Sequence, residues 1–192
     1  MRLLWAVFLV VSLSGSDIER ALSVARARDS ERQQFHSRYM FDLKDPVVTQ
    51  IEVTTEFRRL VLIAEDHVGR GDFMFTRGLR EAQQAIAPFR GLITLRAQVR
   101  FSPLNTFIVA PPYEFAIGGS LDLLGRLDTE VTPQFSIPFK DNRTGKDLSS
   151  LIGATLGATL SAERTGQSPR VIAVMLDGKE IAHVTVDFGR LD

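Results

Sequence analysis

The sequence feature that most constrains the fold is a strict alternation of apolar and polar residues directly after Gly91. Apolar residues occupy every second position: Ile93, Leu95, Ala97, Val99 and Phe101. Polar residues occupy the positions between them: Thr94, Arg96, Gln98, Arg100 and Ser102. Because successive strand side chains point to opposite faces, the pattern predicts a strand over residues 92–102. Its apolar face must be covered by a second layer, which favours a layered β structure.

Several later segments also have strand patterns. Apolar residues alternate again from Ile152 to Leu160, and at Tyr113, Phe115 and Ile117. Strands over 171–176 and 180–188 flank Asp177-Gly178, which is typical of a hairpin turn. A strand over 106–110 is expected to pair with strand 92–102, and Pro111-Pro112 must interrupt it or lie at an edge. Residues 121–139 contain short apolar pieces typical of irregular strands.

The N-terminal half has helical spacing instead. Ser16 and Glu19 form a capping-box pattern at the start of an amphipathic helix over about 17–37. A strand is expected at about 46–54, followed by a helix pair over 55–89 around a glycine-containing loop. For residues 55–68 a strand remains an alternative, because the run from Arg59 to Ile63 is apolar on both faces.

These patterns together predict an α+β fold. An antiparallel β-sandwich or partly open barrel is expected at about residues 91–190, since no strand-helix-strand series occurs there. The N-terminal helices should pack on one face or one end of it. No composition break marks a linker, so residues 17–192 are predicted to form a single domain.

The first residues of the chain are typical of a secretory signal peptide. Arg2 precedes an apolar run from Leu3 to Val11, and small residues follow between Ser12 and Ser16. The run is too short for a spanning helix, which needs about 20 apolar residues. We therefore expect residues 1–16 to be a signal peptide cleaved near Ser14–Ser16. The product would be periplasmic or secreted, with no stable membrane insertion after cleavage.

Composition excludes several classes of function. The chain has 23 basic and 23 acidic residues, so its formal net charge is zero and gives no electrostatic case for nucleic acid or an anionic membrane as partner. It has no cysteine, which excludes disulfides, thiolate metal sites and cysteine nucleophiles. Export without disulfides is more typical of a bacterial periplasm than of an animal secretory route.

Sequence signatures of catalysis are missing. The chain has neither Gly-x-Ser-x-Gly nor Ser-x-x-Lys, and no glycine-rich phosphate loop. No cofactor is expected. No metal site is predicted, because the three histidines lack chelating spacing: His36, His67 and His183. Asp122 and Asp128, or Glu114 with one of them, could form a glycosidase carboxylate pair, although such carboxylates are commonplace.

Two surface features are candidates for binding. Arg96, Gln98 and Arg100 form a polar row that could bind a carboxylate, an acidic glycan or an acidic protein. The alternative is a solvated sheet face with cross-strand ion pairs. Tyr113 and Glu114 follow two prolines, in a recognition loop or in an interruption that protects a sheet edge.

The sequence predicts an exported, non-catalytic binding or structural domain of the bacterial cell envelope. An envelope protein or a polysaccharide would be its partner. The alternative is an envelope hydrolase that acts on glycan or peptide through dispersed Asp, Glu and His residues.

Overall fold

The computed structural model of the 192-residue chain describes residues 13–118, 125–140, 147–166 and 169–191. Its α-helices lie in the N-terminal half: α1 (Gly15–Ala25), α2 (Asp29–Ser37), α3 (Glu56–Gly69) and α4 (Leu79–Ile86). The strands are β1 (Met40–Asp42), β2 (Val48–Thr54), β3 (Leu92–Arg100), β4 (Tyr113–Gly118), β5 (Gly125–Arg126), β6 (Thr129–Phe135), β7 (Phe139–Lys140), β8 (Asp147–Leu148), β9 (Leu151–Ser161), β10 (Arg170–Leu176) and β11 (Lys179–Val186).

The strands form two main antiparallel sheets. The first has the order β1-β2-β3-β9-β6, and the second has the order β11-β10-β4-β5. Strands β7 and β8 form a separate pair. The sheets pack as a sandwich and do not close into a barrel. The α+β prediction, with a β-sandwich preceded by helices, is therefore confirmed.

The core of the sandwich lies between the inner faces of the two sheets. In β3, Leu95 and Val99 are buried, as the alternation predicts. They belong to one cluster with residues of the second sheet such as Phe115, Ile172 and Val174. Because the apolar side chains of β3 pack into this core, its polar side chains lie on the opposite, solvent-exposed face of the sheet.

The helices enclose a second core that abuts the sandwich. Apolar residues spaced three and four apart line its centre, including Ile18, Leu22, Phe57 and Leu60. Helix α3 covers Glu56–Gly69, so the strand alternative for residues 55–68 is wrong. Thr55 caps α3 by accepting a hydrogen bond from the Arg58 N–H at 3.3 Å. Leu191 is partly buried against both cores and joins them.

The predicted helix over 17–37 is two helices, because the chain breaks at residues 26–28. In a continuous helix Phe35 would point about 100° away from the stripe that begins at Ile18. The break turns α2 so that Phe35 enters the helical core. The predicted cap at Ser16 is also wrong. Ser14 is the N-cap, and Asp17 completes the capping box with it.

The expected strand over 106–110 is absent from the structure, which shows an exposed irregular segment there. Both edges of β3 are already occupied, by β2 and β9. The chain instead crosses to the second sheet and begins β4 at Tyr113, directly after Pro111-Pro112. Sequence alternation alone cannot reveal that both pairing edges are already filled.

The predicted hairpin near the C-terminus is confirmed. Asp177 and Gly178 have φ angles of 51° and 75°, the left-handed conformations that a tight hairpin turn requires. At the edge of the first sheet, β6 contains Pro133, which cannot donate a ladder hydrogen bond. Within the described residues no helix is long and apolar enough to cross a membrane.

Candidate functional site

The candidate site is the solvent face of the five-stranded sheet. Arg96, Gln98 and Arg100 are exposed on the side of β3 opposite the core. Residues of the neighbouring strands lie beside these three on the same face. Arg96 lies beside Glu52 of β2 on one side and Gly157 of β9 on the other. The structure thus holds the three predicted polar residues together on one open face.

Arg96 and Arg100 are not neutralised by cross-strand carboxylates. Glu52, the register neighbour of Arg96, instead pairs with Arg58 at 2.6 Å. Arg58 is buried and also donates to the Val53 carbonyl at 2.6 Å, which fixes that pair in place. Within the described residues neither Arg96 nor Arg100 makes a salt bridge. These two arginines therefore present unpaired positive charge on this face.

A third guanidinium, from Arg59, extends this cationic row. Arg59 projects from α3, donates to the Thr94 hydroxyl at 2.9 Å, and lies over the Phe89 ring at 5.0 Å. Burial, and then the nearby charge of Arg96, lowers the pKa of Arg59. Sequence reasoning missed this residue because the position of α3 against β3 depends on tertiary packing.

A depression of about 410 Å³ opens beside Arg96 on this face. The exposed carboxylates of Asp128 and Glu130 line the side opposite Arg96. Glu130 is the register neighbour of Gly157, so two strand spacings, about 10 Å, separate the backbones that carry Glu130 and Arg96. The depression therefore has one cationic wall and one anionic wall.

Gly157 forms the floor of the depression without any steric need for glycine. A Cβ added at Gly157 would meet nothing within 4 Å, whereas one added at Gly153 of the same strand would collide with the Val99 carbonyl oxygen. Gly153 is thus required by packing. Glycine weakens a strand interior. A glycine that packing does not require, such as Gly157, is therefore typical of a place where a ligand approaches the backbone closely.

The arrangement can bind an anionic group in a specific orientation. Guanidinium forks bind carboxylates through two parallel hydrogen bonds, and the Arg96 fork is unoccupied by any described residue. Gln98, between the two arginines, adds an amide that can donate and accept. Across the depression, Asp128 and Glu130 can accept hydrogen bonds from hydroxyl or amino groups of the same ligand.

Tyr113 and Glu114 do not belong to this face. Tyr113 is buried in the sandwich core, where its ring stacks on Phe101 with centroids 6.2 Å apart, and burial raises its pKa. Glu114 lies on the second sheet and pairs with Arg126 at 3.1 Å. The five predicted binding residues are therefore divided between two sheets.

Of the catalytic candidates, Asp122 lies outside the described residues. The hydrogen bond from the Leu127 N–H to the Phe115 carbonyl at 2.8 Å continues the β4–β5 register and brings Asp128 beside Glu114, whose carboxylate pairs with Arg126. No group of three metal-ligating side chains occurs among the described residues. Each histidine contacts a nearby carboxylate: His36 contacts Glu65 at 2.9 Å, His67 contacts Asp72 at 2.9 Å, and His183 contacts Glu180 at 2.6 Å.

Comparison with protein families, with curated proteins and with solved structures finds no match in any of the three.

Proposed function

We propose that this protein is an exported, non-catalytic binding domain of the bacterial cell envelope. Its ligand is a carboxylate-bearing polymer, such as an acidic glycan, that lies along β3. The observation that carries the proposal is the row of Arg59, Arg96 and Arg100 on one open sheet face. The geometry is that of a shallow surface, and a shallow surface suits a polymer better than it suits a small substrate.

The spacing of the row supports a repeating ligand. Residues two apart on one strand face are about 7 Å apart, so Arg96 and Arg100 are about 13 Å apart. A linear polyanion can contact both guanidinium groups with different carboxylates. The depression next to Arg96 then receives the hydroxyl groups of the same chain, which hydrogen-bond to Asp128 and Glu130.

The proposed location rests on the N-terminal segment. Residues 1–12 lie outside the described structure, and their charged start and short apolar run support export. Mass spectrometry of the protein recovered from an expressing bacterium is expected to show a chain that lacks this segment. An intact Met1 in the soluble fraction would contradict export.

Binding to a polyuronate tests the proposed function. The Arg96→Ala/Arg100→Ala variant is expected to bind alginate at least about tenfold more weakly than the wild type, because each charge-assisted contact contributes about 1.5–3 kcal/mol. Isothermal titration at two salt concentrations measures the change. Neutral dextran serves as the uncharged polymer and is not expected to bind.

A charge-matched control tests whether binding depends on this face or only on the net charge of the protein. Arg77 and Arg80 are exposed in the helical half, and Arg77→Ala/Arg80→Ala removes the same two charges. This control is expected to keep wild-type affinity. Equal weakening by both double variants would show that binding follows overall charge, and unchanged affinity in Arg96→Ala/Arg100→Ala would exclude the face.

A further inference from the structure

The depression beside Arg96 has charged side chains of opposite sign on its two sides. Arg96 of β3 lies on one side, Asp128 and Glu130 lie on the other, and Gly157 of β9 lies between them. The three charged side chains are exposed to solvent. None of them makes a salt bridge with any residue that the structure describes. A ligand in the depression therefore meets three unpaired charges.

Thr129 fixes the side to which the two carboxylates point. Its hydroxyl accepts a hydrogen bond from the Phe115 N–H at 2.8 Å and donates to the Leu127 carbonyl at 2.9 Å, so its side chain is tied to the second sheet. Exposure alternates along this stretch, with Leu127 buried and both Asp128 and Glu130 exposed, as in an extended chain. The two carboxylates therefore share the side that faces the depression.

Other charged groups near the depression are engaged elsewhere. Arg126, two residues before Asp128, pairs with Glu114 at 3.1 Å. Beyond β3, Glu52 pairs with the buried Arg58 at 2.6 Å. These pairs leave the carboxylates beside the depression without a cation from the described part of the chain.

A ligand that carries only carboxylates suits this depression less well than one that also carries a cation. The group that binds Arg96 lies close to Asp128 and Glu130, and like charges at short range repel each other. A hydroxyl group can donate to one of these carboxylates, but it leaves their charge uncompensated. An ammonium group has three donors and forms charge-assisted bonds, which are stronger than those of a hydroxyl. The two carboxylates therefore favour an amino group.

The width of the depression limits the separation of the two ligand groups. The backbones that carry Arg96 and Glu130 are two strand spacings apart, about 10 Å, and strand side chains stand roughly perpendicular to the sheet. Two charge-assisted hydrogen bonds of about 2.8 Å each occupy more than half of that width. About 4 Å remain between the carboxylate and the ammonium group of the ligand. Groups on the same carbon atom or on neighbouring carbon atoms have this separation.

We propose that the depression binds an amino acid group, with its carboxylate on Arg96 and its ammonium group between Asp128 and Glu130. This inference rests on the proposed function and narrows it. Among carboxylate-bearing polymers, the β3 face prefers one whose units also carry a free amino group next to a carboxylate. The open space above Gly157 admits the carbon atoms that join the two groups.

Three small dicarboxylates that differ at one position test the proposal. Succinate has hydrogen at this position, malate has a hydroxyl group and aspartate has an ammonium group. Each is titrated at neutral pH into the isotopically labelled full chain, and the NMR shift of the Gly157 amide reports binding in the depression. We expect aspartate to bind at least about threefold more tightly than malate or succinate, because only aspartate forms charge-assisted bonds with Asp128 and Glu130.

The variant Asp128→Asn/Glu130→Gln removes the two carboxylates with little change of shape. It is expected to bind aspartate no more tightly than malate, and to bind malate more tightly than the wild type does, because two repelling charges are gone. Glu19→Gln/Glu31→Gln removes the same number of charges from exposed positions in the helical half. This control should keep the wild-type preference for aspartate. The same spectra show whether each variant is folded.

Failure of this inference is distinguishable from failure of the polymer-binding proposal. Equal affinity for aspartate and malate, or no shift of Gly157 with any of the three compounds, would overturn the inference. A preference for aspartate that persists in Asp128→Asn/Glu130→Gln would also overturn it. Alginate binding by the same samples, and its dependence on Arg96 and Arg100, tests the proposed function separately.

Discussion

Two glycines of β9 illustrate how one residue type serves two purposes within a strand. Gly153 makes room for the Val99 carbonyl oxygen, whereas Gly157 has open space above it. The repeated Gly-Ala-Thr-Leu tetrad gives both the same sequence context. Only the cross-strand register distinguishes the packing glycine from the one that forms the floor of the depression.

Alanine at each glycine should have opposite effects on stability. Gly153→Ala is expected to lower the free energy of unfolding by about 1–3 kcal/mol, because the strand must shift away from Val99. Gly157→Ala should raise it by about 0.5 kcal/mol, since a Cβ fits and the unfolded chain loses freedom. Urea denaturation measures both. Equal destabilisation at the two sites would contradict the packing described for β9.

In the uncleaved full-length chain, Ser14 contributes to stability through the start of α1. Its hydroxyl accepts from the Asp17 N–H at 3.2 Å and contacts the Asp17 carboxylate at 2.6 Å. Ser14→Ala is expected to lower the free energy of unfolding by about 1 kcal/mol. Ser23→Ala, at an exposed position inside the same helix, is the control and should cause no loss.

The Ser14 contribution should depend on pH. The Ser14 side chain, and then its backbone N–H, hold the pKa of Asp17 below its usual 3.8. A lowered folded-state pKa stabilises the protein above the unfolded pKa, and this contribution is lost as pH falls through the folded value. The stability difference between wild type and Ser14→Ala should therefore shrink below about pH 3.8. A constant difference across that range would contradict the role of the ionised carboxylate.

At the scale of elements, Arg58 connects β2, α2 and α3. Its guanidinium binds Glu52 and the Val53 carbonyl and lies 5.1 Å from the Tyr39 ring, and its Nε is 3.5 Å from His36 Nδ1. The side chain is almost fully buried.

Removing Arg58 should destabilise the junction of helices and sheet. Arg58→Ala leaves the Glu52 carboxylate without its partner, and we expect a loss of about 3 kcal/mol in the free energy of unfolding. Arg70→Ala is the matched control, since Arg70 pairs with Asp66 at 2.6 Å while both remain exposed. The control should change stability by less than about 1 kcal/mol. A similar small loss for Arg58→Ala would contradict a structural role.

Elements with a clear burial pattern were predictable from sequence, and others were not. β3 and the C-terminal hairpin follow from alternation and from Asp177-Gly178. The strand predicted over 106–110 is wrong, and the apolar residues of that segment, Phe107, Ile108 and Val109, are exposed. The arginine row was found by alternation, but Arg59 and Gly157 depend on register and helix placement, which a single sequence does not contain.

At the scale of the molecule, two cores meet at Leu191. We expect them to unfold together, because Leu191 packs against both cores and a small single domain usually unfolds in one cooperative transition. Hydrogen exchange measured by mass spectrometry in increasing urea should expose the amides of α3 and β3 at the same urea concentration. Exchange of α3 at clearly lower urea would show that the helices form a separate cooperative unit.

Net charge gives a misleading description of this surface. The chain is neutral overall, which argues against anionic partners, yet Arg59, Arg96 and Arg100 lie along one face of β3. Composition reports the sum of the charges, whereas binding depends on where the fold places them.

Pro133 in the outer strand β6 has a consequence for the way a polymer can be bound. A polypeptide cannot extend this sheet edge along its whole length, because proline offers no N–H to an incoming strand. On the proposed binding face β3 is flanked by β2 and β9, so recognition there would proceed through side chains. Binding to such a surface would depend on the spacing of the acidic groups and not on the type of chain that carries them. Sugar and peptide chains with equally spaced acidic groups would therefore compete for it.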